Sequence, residues 1–99
     1  MKNIDVIKAF SNKERARSST GSLESTGDRL YSYATCIAEY DKCGKLYINL
    51  TKYSCTTSRH QSILSRLLYG KAFVILYNIE RNIVHIVPKH LRINQLWHK

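Results

Sequence analysis

The residues with most chemistry to offer lie in one stretch, Leu50 to Gln61, which reads Leu-Thr-Lys-Tyr-Ser-Cys-Thr-Thr-Ser-Arg-His-Gln. Hydroxyls at Thr56, Thr57 and Ser58 precede the basic pair Arg59 and His60, while Lys52 and Tyr53 approach from the N-terminal side. Ser58 and Gln61 have the S-x-x-Q spacing of a capping box, so the cluster is expected to open a helix. A helix start presents unpaired N–H donors and the positive end of the helix dipole, which suits a phosphate or carboxylate. Cations in that first turn oppose the dipole unless an anion sits there, which makes Arg59 informative. The plainer alternative is that Ser58 and Gln61 only cap the helix and Arg59 points into water.

The same residues stop short of a catalytic motif. His60 with Ser54, Ser58 or Cys55 brings base and nucleophile types together. No third group at a diagnostic spacing orients the base, and no glycine pattern marks a nucleophile elbow. Asp28, Glu39 and His60 are the residue types of a metal-dependent nuclease, but their spacing does not argue for one. The reading leaves catalysis open and leans against it, and it names no catalytic residue and no cofactor. Cys36, Cys43 and Cys55 are odd in number and lack C-x-x-C spacing. Neither a disulfide framework nor a zinc site with His60 is expected, and the thiols are read as reduced and mostly buried.

A strand must lead into this cluster and a helix must leave it. Residues 46–53 alternate: Leu46, Ile48 and Leu50 on one face, Tyr47, Asn49, Thr51 and Tyr53 on the other. Residues 29–40 read as a second strand, joined to the first by the turn Asp41–Lys45. Keeping the apolar sets together pairs Cys36 with Leu50, Ile37 with Asn49, Thr35 with Thr51 and Tyr33 with Tyr53. The hairpin then has an apolar face and a polar face carrying Tyr31, Tyr33, Thr35, Tyr47, Asn49, Thr51 and Tyr53. Lys52 falls on the apolar side by strict alternation, which requires the strand to end or bulge there.

A helix over about 58–69 follows, with Ile63, Leu64, Leu67 and Leu68 at helical spacing and Gly70 as its stop. The run Ala72–Tyr77 predicts a central strand and Ile83–Val87 its hairpin partner, ended by Pro88. A closing helix is expected over 89–98, with Ile93, Leu96 and Trp97 inward. Residues 3–10 predict a short helix capped by Asn3, with Ile4, Ile7 and Phe10 on one face. Residues 11–28 carry little to bury beyond Ala16 and Leu23 and are read as a long basic, serine-rich loop, free to move or to order on a phosphate backbone. His85, His90 and His98 are read as structural or solvent-facing. No internal repeat is visible. The sum is a single α+β domain over 1–99: two antiparallel hairpins forming a sheet, with helices packed mainly on one face.

Sixteen lysines and arginines oppose seven acids, giving a net charge of +9. Such a balance favours polyanions as partners. Seven tyrosines are an unusual share of 99 residues, and sheets that bind single-stranded nucleic acid present aromatic rings flanked by cations. Tyr31, Tyr33, Tyr47 and Tyr53 would stack bases. Arg15, Arg17, Arg29, Lys52 and Arg59, with Thr57, Ser58 and His60, would meet phosphates. No ribonucleoprotein signature is present. No run approaches the length of a membrane span, and the N-terminus does not read as a signal peptide. A soluble, intracellular protein is expected, with no metal, no membrane partner, and unpaired strand edges that make a homodimer reasonable.

Two segments carry a resemblance. Asp28–Glu39, with S-Y-x-T-x-I-A, and Tyr47–Gln61, with T-K-Y-S-x-T-T-S-x-H-Q, resemble a small domain of unknown function found in phage and archaeal-virus proteins and their prophage relatives. The likeness spans roughly residues 15–68. It implies a viral origin and a role in the host cytoplasm, and it supplies no catalytic residues. Three functions follow as expectations: a nucleic-acid-binding module; a protein-binding module that inhibits or masks a host factor; and a nuclease.

Overall fold

The structure, a computed structural model, describes residues 1–92. Its first element is helix α1, Asn3–Ser11. Val6, Ile7 and Phe10 share its buried stripe. Lys2, not Asn3, holds the N-cap position, without a side-chain bond, so the predicted asparagine cap does not form.

The stretch expected as a loop contains a hairpin, β1 (Arg15–Arg17) with β2 (Leu23–Thr26), in register Arg15↔Thr26. Serines take part of the work an apolar run would otherwise do. Buried Ser25 donates to the Glu14 carbonyl at 2.7 Å, and the Leu23 amide donates to Ser18 Oγ at 3.2 Å. The alternation of Arg15 and Arg17 is that of an outer strand, whose charges guard a sheet edge.

The strand expected over 29–40 is two strands, β3 (Arg29–Ser32) and β4 (Thr35–Tyr40). Tyr33 breaks it, adopting φ +56 in the turn. A bulge follows: Leu30 faces Ala38 but Tyr31 faces Cys36, which leaves Ile37 as the extra residue. An inserted residue shifts side chains to the opposite face. Cys36 therefore leaves the helix side, and Ile37 joins it.

Strand β5 (Leu46–Asn49) pairs with β4 as Ala38↔Ile48 and Tyr40↔Leu46. This is the register the alternation predicts. The four predicted pairs, Cys36–Leu50, Ile37–Asn49, Thr35–Thr51 and Tyr33–Tyr53, lie beyond the paired residues, because the ladder ends at Ala38↔Ile48, β5 stops at Asn49 and Tyr33 lies in a turn.

Helix α2, Cys55–Leu68, then carries the chain back along the sheet. Strand β6 (Ala72–Leu76) accordingly pairs with β5 in parallel, and not as the first strand of a second antiparallel hairpin. A parallel pair needs a crossover of a dozen or more residues, and α2 supplies it. The predicted partner strand 83–87 is irregular chain. Of the predicted closing helix, Lys89–Leu91 form a 3₁₀ turn; the remainder, with Ile93, Leu96, Trp97 and His98, lies outside the described residues.

The result is an α+β fold with one mixed six-stranded sheet in sequential order, β1 to β6. On one face α1 and α2 bury Ile7, Phe10, Leu30, Ile37, Ile48 and Leu64. Fully burying a side chain of this size contributes about 1.5–3 kcal/mol. On the other face the segment 79–91 lays Ile86 and Val87 against Cys36 and Tyr47, with Tyr31, Val74 and Leu76 beside them. No helix among the described residues is long and apolar enough to cross a membrane.

Candidate functional site

The cover over 79–91 decides what the tyrosine face can do. Tyr47 retains 5% exposure beneath it. The Tyr31 hydroxyl donates to the Val84 carbonyl at 3.2 Å, and burial pushes that phenol up to about 12. The Tyr53 hydroxyl donates to the Ile79 carbonyl at 2.8 Å and accepts from Asn49 Nδ2 at 3.0 Å. These rings hold the C-terminal segment to the sheet and are not an open stacking platform. Tyr33 alone of the four is well exposed, at the β3–β4 turn.

The cover is anchored by a carboxylate. Glu39 is 1% exposed, and its Oε1 accepts from the amides of Ile86 and Val87 at 2.8 and 3.2 Å. Its Oε2 lies 2.8 Å from His85 Nδ1, and His85 Nε2 lies 3.4 Å from Arg29 Nη1. Arginine only donates, so Nε2 is the acceptor of that contact and Nδ1 the donor to Glu39. Arg29 also lies over the Tyr31 ring, 5.7 Å from its centroid. Arg29 and Tyr31 are thus structural neighbours in one network. Asp28, Glu39 and His60 are not brought together: Glu39 bonds the cover, whereas His60 bonds Ser32.

The Leu50–Gln61 stretch becomes the joint between sheet and helix. The N-cap is Ser54, whose Oγ accepts from the Thr57 amide at 3.2 Å. The predicted cap at Ser58 is therefore one turn too late, and Arg59 and His60 fall in the second turn of α2. His60 is 1% exposed, with Nδ1 2.7 Å from Ser32 Oγ. Burial lowers its pKa below the ordinary histidine value. Thr57 Oγ1 lies 3.0 Å from the same serine oxygen. Gln61 caps nothing; its amide donates to the carbonyls of Asn49 and Thr51 at 2.8 and 2.9 Å, tying the end of β5 to the helix. Lys52 follows the end of β5, so strict alternation no longer applies to it, and it is exposed. Arg59 is exposed and Ser58 half-buried on α2. Arg15 and Arg17 are exposed on the outer strand.

Of the three cysteines, Cys36 is buried while Cys43 and Cys55 are exposed, so the expectation of mostly buried thiols fails. Cys43 belongs to the turn before β5, and Cys55 to the first turn of α2. Among the described residues no group of three or more His, Cys, Asp or Glu side chains is gathered for a metal.

A site not anticipated from the sequence lies at the end of the sheet where β5 and β6 begin. Lys13, Lys45 and Lys71 line one cavity of about 570 Å³, with Tyr40, Gly44 and Phe73. No carboxylate is among the described residues that line it. The geometry of the ring at Phe73 comes from a bulge: Leu46 pairs with Ala72 and Tyr47 with Val74, leaving Phe73 unpaired. Its ring is 55% exposed, edge-on to Tyr47 at 5.9 Å, with Lys45 Nζ 4.3 Å from its centroid. Lys13 Nζ sits 5.0 Å from the Tyr40 ring centroid. A bulge that re-aims a side chain at a concavity is a usual companion of functional sites. Lysines from three chain segments, with no carboxylate among the described lining residues, give this space a positive potential that suits an anion. The signal available in the sequence was Lys-then-strand, twice, at Lys45-Leu46 and Lys71-Ala72. Parallel pairing of those strands sets both lysines side by side.

The sequence model of a family of unknown function, DUF8033, matches residues 4–78. The match takes in all six strands as far as Leu76 and both helices, and so the lysine-lined cavity. No curated protein and no solved structure matches.

Proposed function

The chain belongs to this family of unknown function, and we propose that it binds nucleic acid through the cavity at the start of β5 and β6. The observation that carries the reading is the set of Lys13, Lys45 and Lys71 around one cavity that also holds the exposed Phe73 ring. Lysines supply phosphate contacts, and an accessible ring supplies stacking that tolerates any base. The net charge of +9 and the arginines of β1 add a long-range field that draws a polyanion in. The resemblance of residues 28–39 and 47–61 to phage and archaeal-virus proteins supports a viral origin, and with it action in the cytoplasm of an infected host.

Titration of labelled single-stranded DNA and RNA across salt tests this. Each phosphate neutralised on a single strand contributes about 0.7 to the slope of log K against log salt. Lys45→Ala with Lys71→Ala should therefore make the slope shallower by about 1.4. Absence of binding at low salt would sink the proposal.

A second reading, a module that binds and masks a host protein, is favoured by the outermost strand β6. Among the described residues no strand pairs with its outer edge, beside which Phe73 and Tyr77 are exposed, and such edges accept an added strand. Co-purification of one defined host protein after nuclease treatment, lost on adding Pro at Val74, would support that reading over the first.

A further inference from the structure

We propose that the cavity beside Phe73 takes a nucleoside carrying a chain of phosphates on its 5′ carbon, as a free nucleoside polyphosphate or as the 5′ end of an RNA. The inference rests on the polyanion reading above and narrows it from a strand to an end.

The first reason is the supply of rings. Proteins that track along a single strand offer successive aromatic platforms for successive bases. Of the two rings among the described residues that line the cavity, Tyr40 and Phe73, one is accessible. Tyr40 is 8% exposed, stacked on Phe10 at 4.8 Å on one side and approached by Lys13. Tyr31, Tyr47 and Tyr53 bond or pack under the 79–91 cover. Tyr33, Tyr69 and Tyr77 are exposed but do not line the cavity, so among the described residues Phe73 is the ring on which the cavity can stack a base.

The second reason is the arrangement of charge. Lys13, Lys45 and Lys71 come from separate chain segments and face one concavity. Internal phosphates of an extended strand run in a line and are met by cations laid along a groove. A polyphosphate chain concentrates its charge in a small volume, and cations gathered around that volume answer it. The cavity volume of about 570 Å³ falls within the range of about 300–1,000 Å³ usual for small-molecule sites.

The third reason is access. Gly44 and Gly70 both line the cavity. A Cβ placed on Gly70 would meet nothing within 4 Å, and one on Gly44 would meet the Lys13 ammonium at 3.1 Å. Backbone is therefore approachable at Gly70, while at Gly44 the space beside the backbone is taken by the Lys13 ammonium.

The full chain is titrated with adenosine, AMP, ADP, ATP and inorganic tripolyphosphate, and with one short RNA bearing a 5′-triphosphate, 5′-monophosphate or 5′-hydroxyl, all at about 50 mM salt. Affinity should rise with phosphate number, by about tenfold or more from mono- to triphosphate. Lys45→Ala and Lys71→Ala should each remove about tenfold of it. Phe73→Leu should weaken ATP by about tenfold and leave tripolyphosphate unchanged. Tight ATP binding with no preference among the RNA ends identifies a free nucleotide as the ligand; preference for the 5′-triphosphate RNA over ATP identifies an RNA end. If all RNA ends bind alike, ATP does not bind and the lysine variants weaken every RNA equally, the end-recognition proposal is overturned while the nucleic-acid reading stands. Failure of every RNA and every nucleotide to bind overturns both. Circular dichroism of each variant confirms that the exposed substitutions leave the fold intact.

Discussion

Glu39 and His85 lie 46 positions apart in the chain and 2.8 Å apart in the fold, Oε2 to Nδ1. That contact, with the amides of Ile86 and Val87 on Oε1, clamps the C-terminal segment across the sheet. Together with the apolar packing of Ile86 and Val87 and the bonds from Tyr31 and Tyr53, it closes the tyrosine face. A buried carboxylate with such partners is hard to remove, because its donors are left unpaired. Glu39→Ala should lower the free energy of unfolding by about 3 kcal/mol in urea melts. Acrylamide should also quench tyrosine emission more strongly as the cover over Tyr31 and Tyr47 loosens. A loss under about 1 kcal/mol would mean that the packing of Ile86 and Val87 and the hydrogen bonds from Tyr31 and Tyr53 hold the segment without the carboxylate.

His60 should make stability depend on pH in a defined direction. Burial holds its folded pKa below the ordinary value of 6.5. The unfolded chain therefore binds more protons than the folded one between the folded value and 6.5, and stability rises with pH through that window. Above it the contribution is complete; as pH falls below 6.5 it is lost progressively. Chemical melts from pH 8 to about pH 5 should show this decline. His60→Gln, which can still meet Ser32 Oγ, should flatten that part of the curve. An unchanged pH profile in the variant would mean that the decline does not come from His60.

Legibility in the sequence tracked the presence of a single physical period. Helix α2 is visible because Leu64 and Leu68 repeat on its buried stripe, and the β4–β5 register because Leu46 and Ile48 alternate with Tyr47 and Asn49. The strand break at Tyr33 is invisible because a tyrosine in the left-handed region carries no glycine to announce it. The β1–β2 hairpin is hidden because Ser18 and Ser25 are buried by hydrogen bonding, which hydropathy does not register. Parallel pairing of β6 was available from the crossover length of α2, and the lysine cavity depended on it. Glu39–His85 depends on a segment without periodicity, so no local pattern points to it.

The cysteines offer a check on the bulge at Ile37. Without that extra residue Cys36 would face the helices; with it the thiol is buried beneath Ile86 and Val87. Burial pushes the Cys36 thiol well above its usual range, and reaction needs the thiolate. A disulfide dye at pH 8 should label Cys43 and Cys55 rapidly and Cys36 only as the chain opens. In Glu39→Ala the third thiol should react at least tenfold faster, since about 1.4 kcal/mol of lost protection suffices for that factor. Equal reactivity of all three in the unmodified protein would place Cys36 elsewhere than beneath the cover.

Gly44 separates the architecture of the lysine cavity from its charge. Its φ of +82 lies where a side chain is strained, so Gly44→Ala should cost about 1 kcal/mol of stability through the backbone. The new methyl would also stand 3.1 Å from Lys13 Nζ. The end of a lysine moves at little cost, so this contact adds little to the strain but displaces the ammonium from its place. Binding should therefore fall by a few-fold in Gly44→Ala, and by about tenfold in Lys13→Ala, where the charge itself is gone. The double variant distinguishes the routes. If glycine acts by placing Lys13, Gly44→Ala has nothing further to disturb once the lysine is absent, and the double variant binds no worse than Lys13→Ala. Additive losses would instead mean that the ligand touches the turn backbone at Gly44 directly, which moves the anion from the ammonium groups toward the loop between β4 and β5.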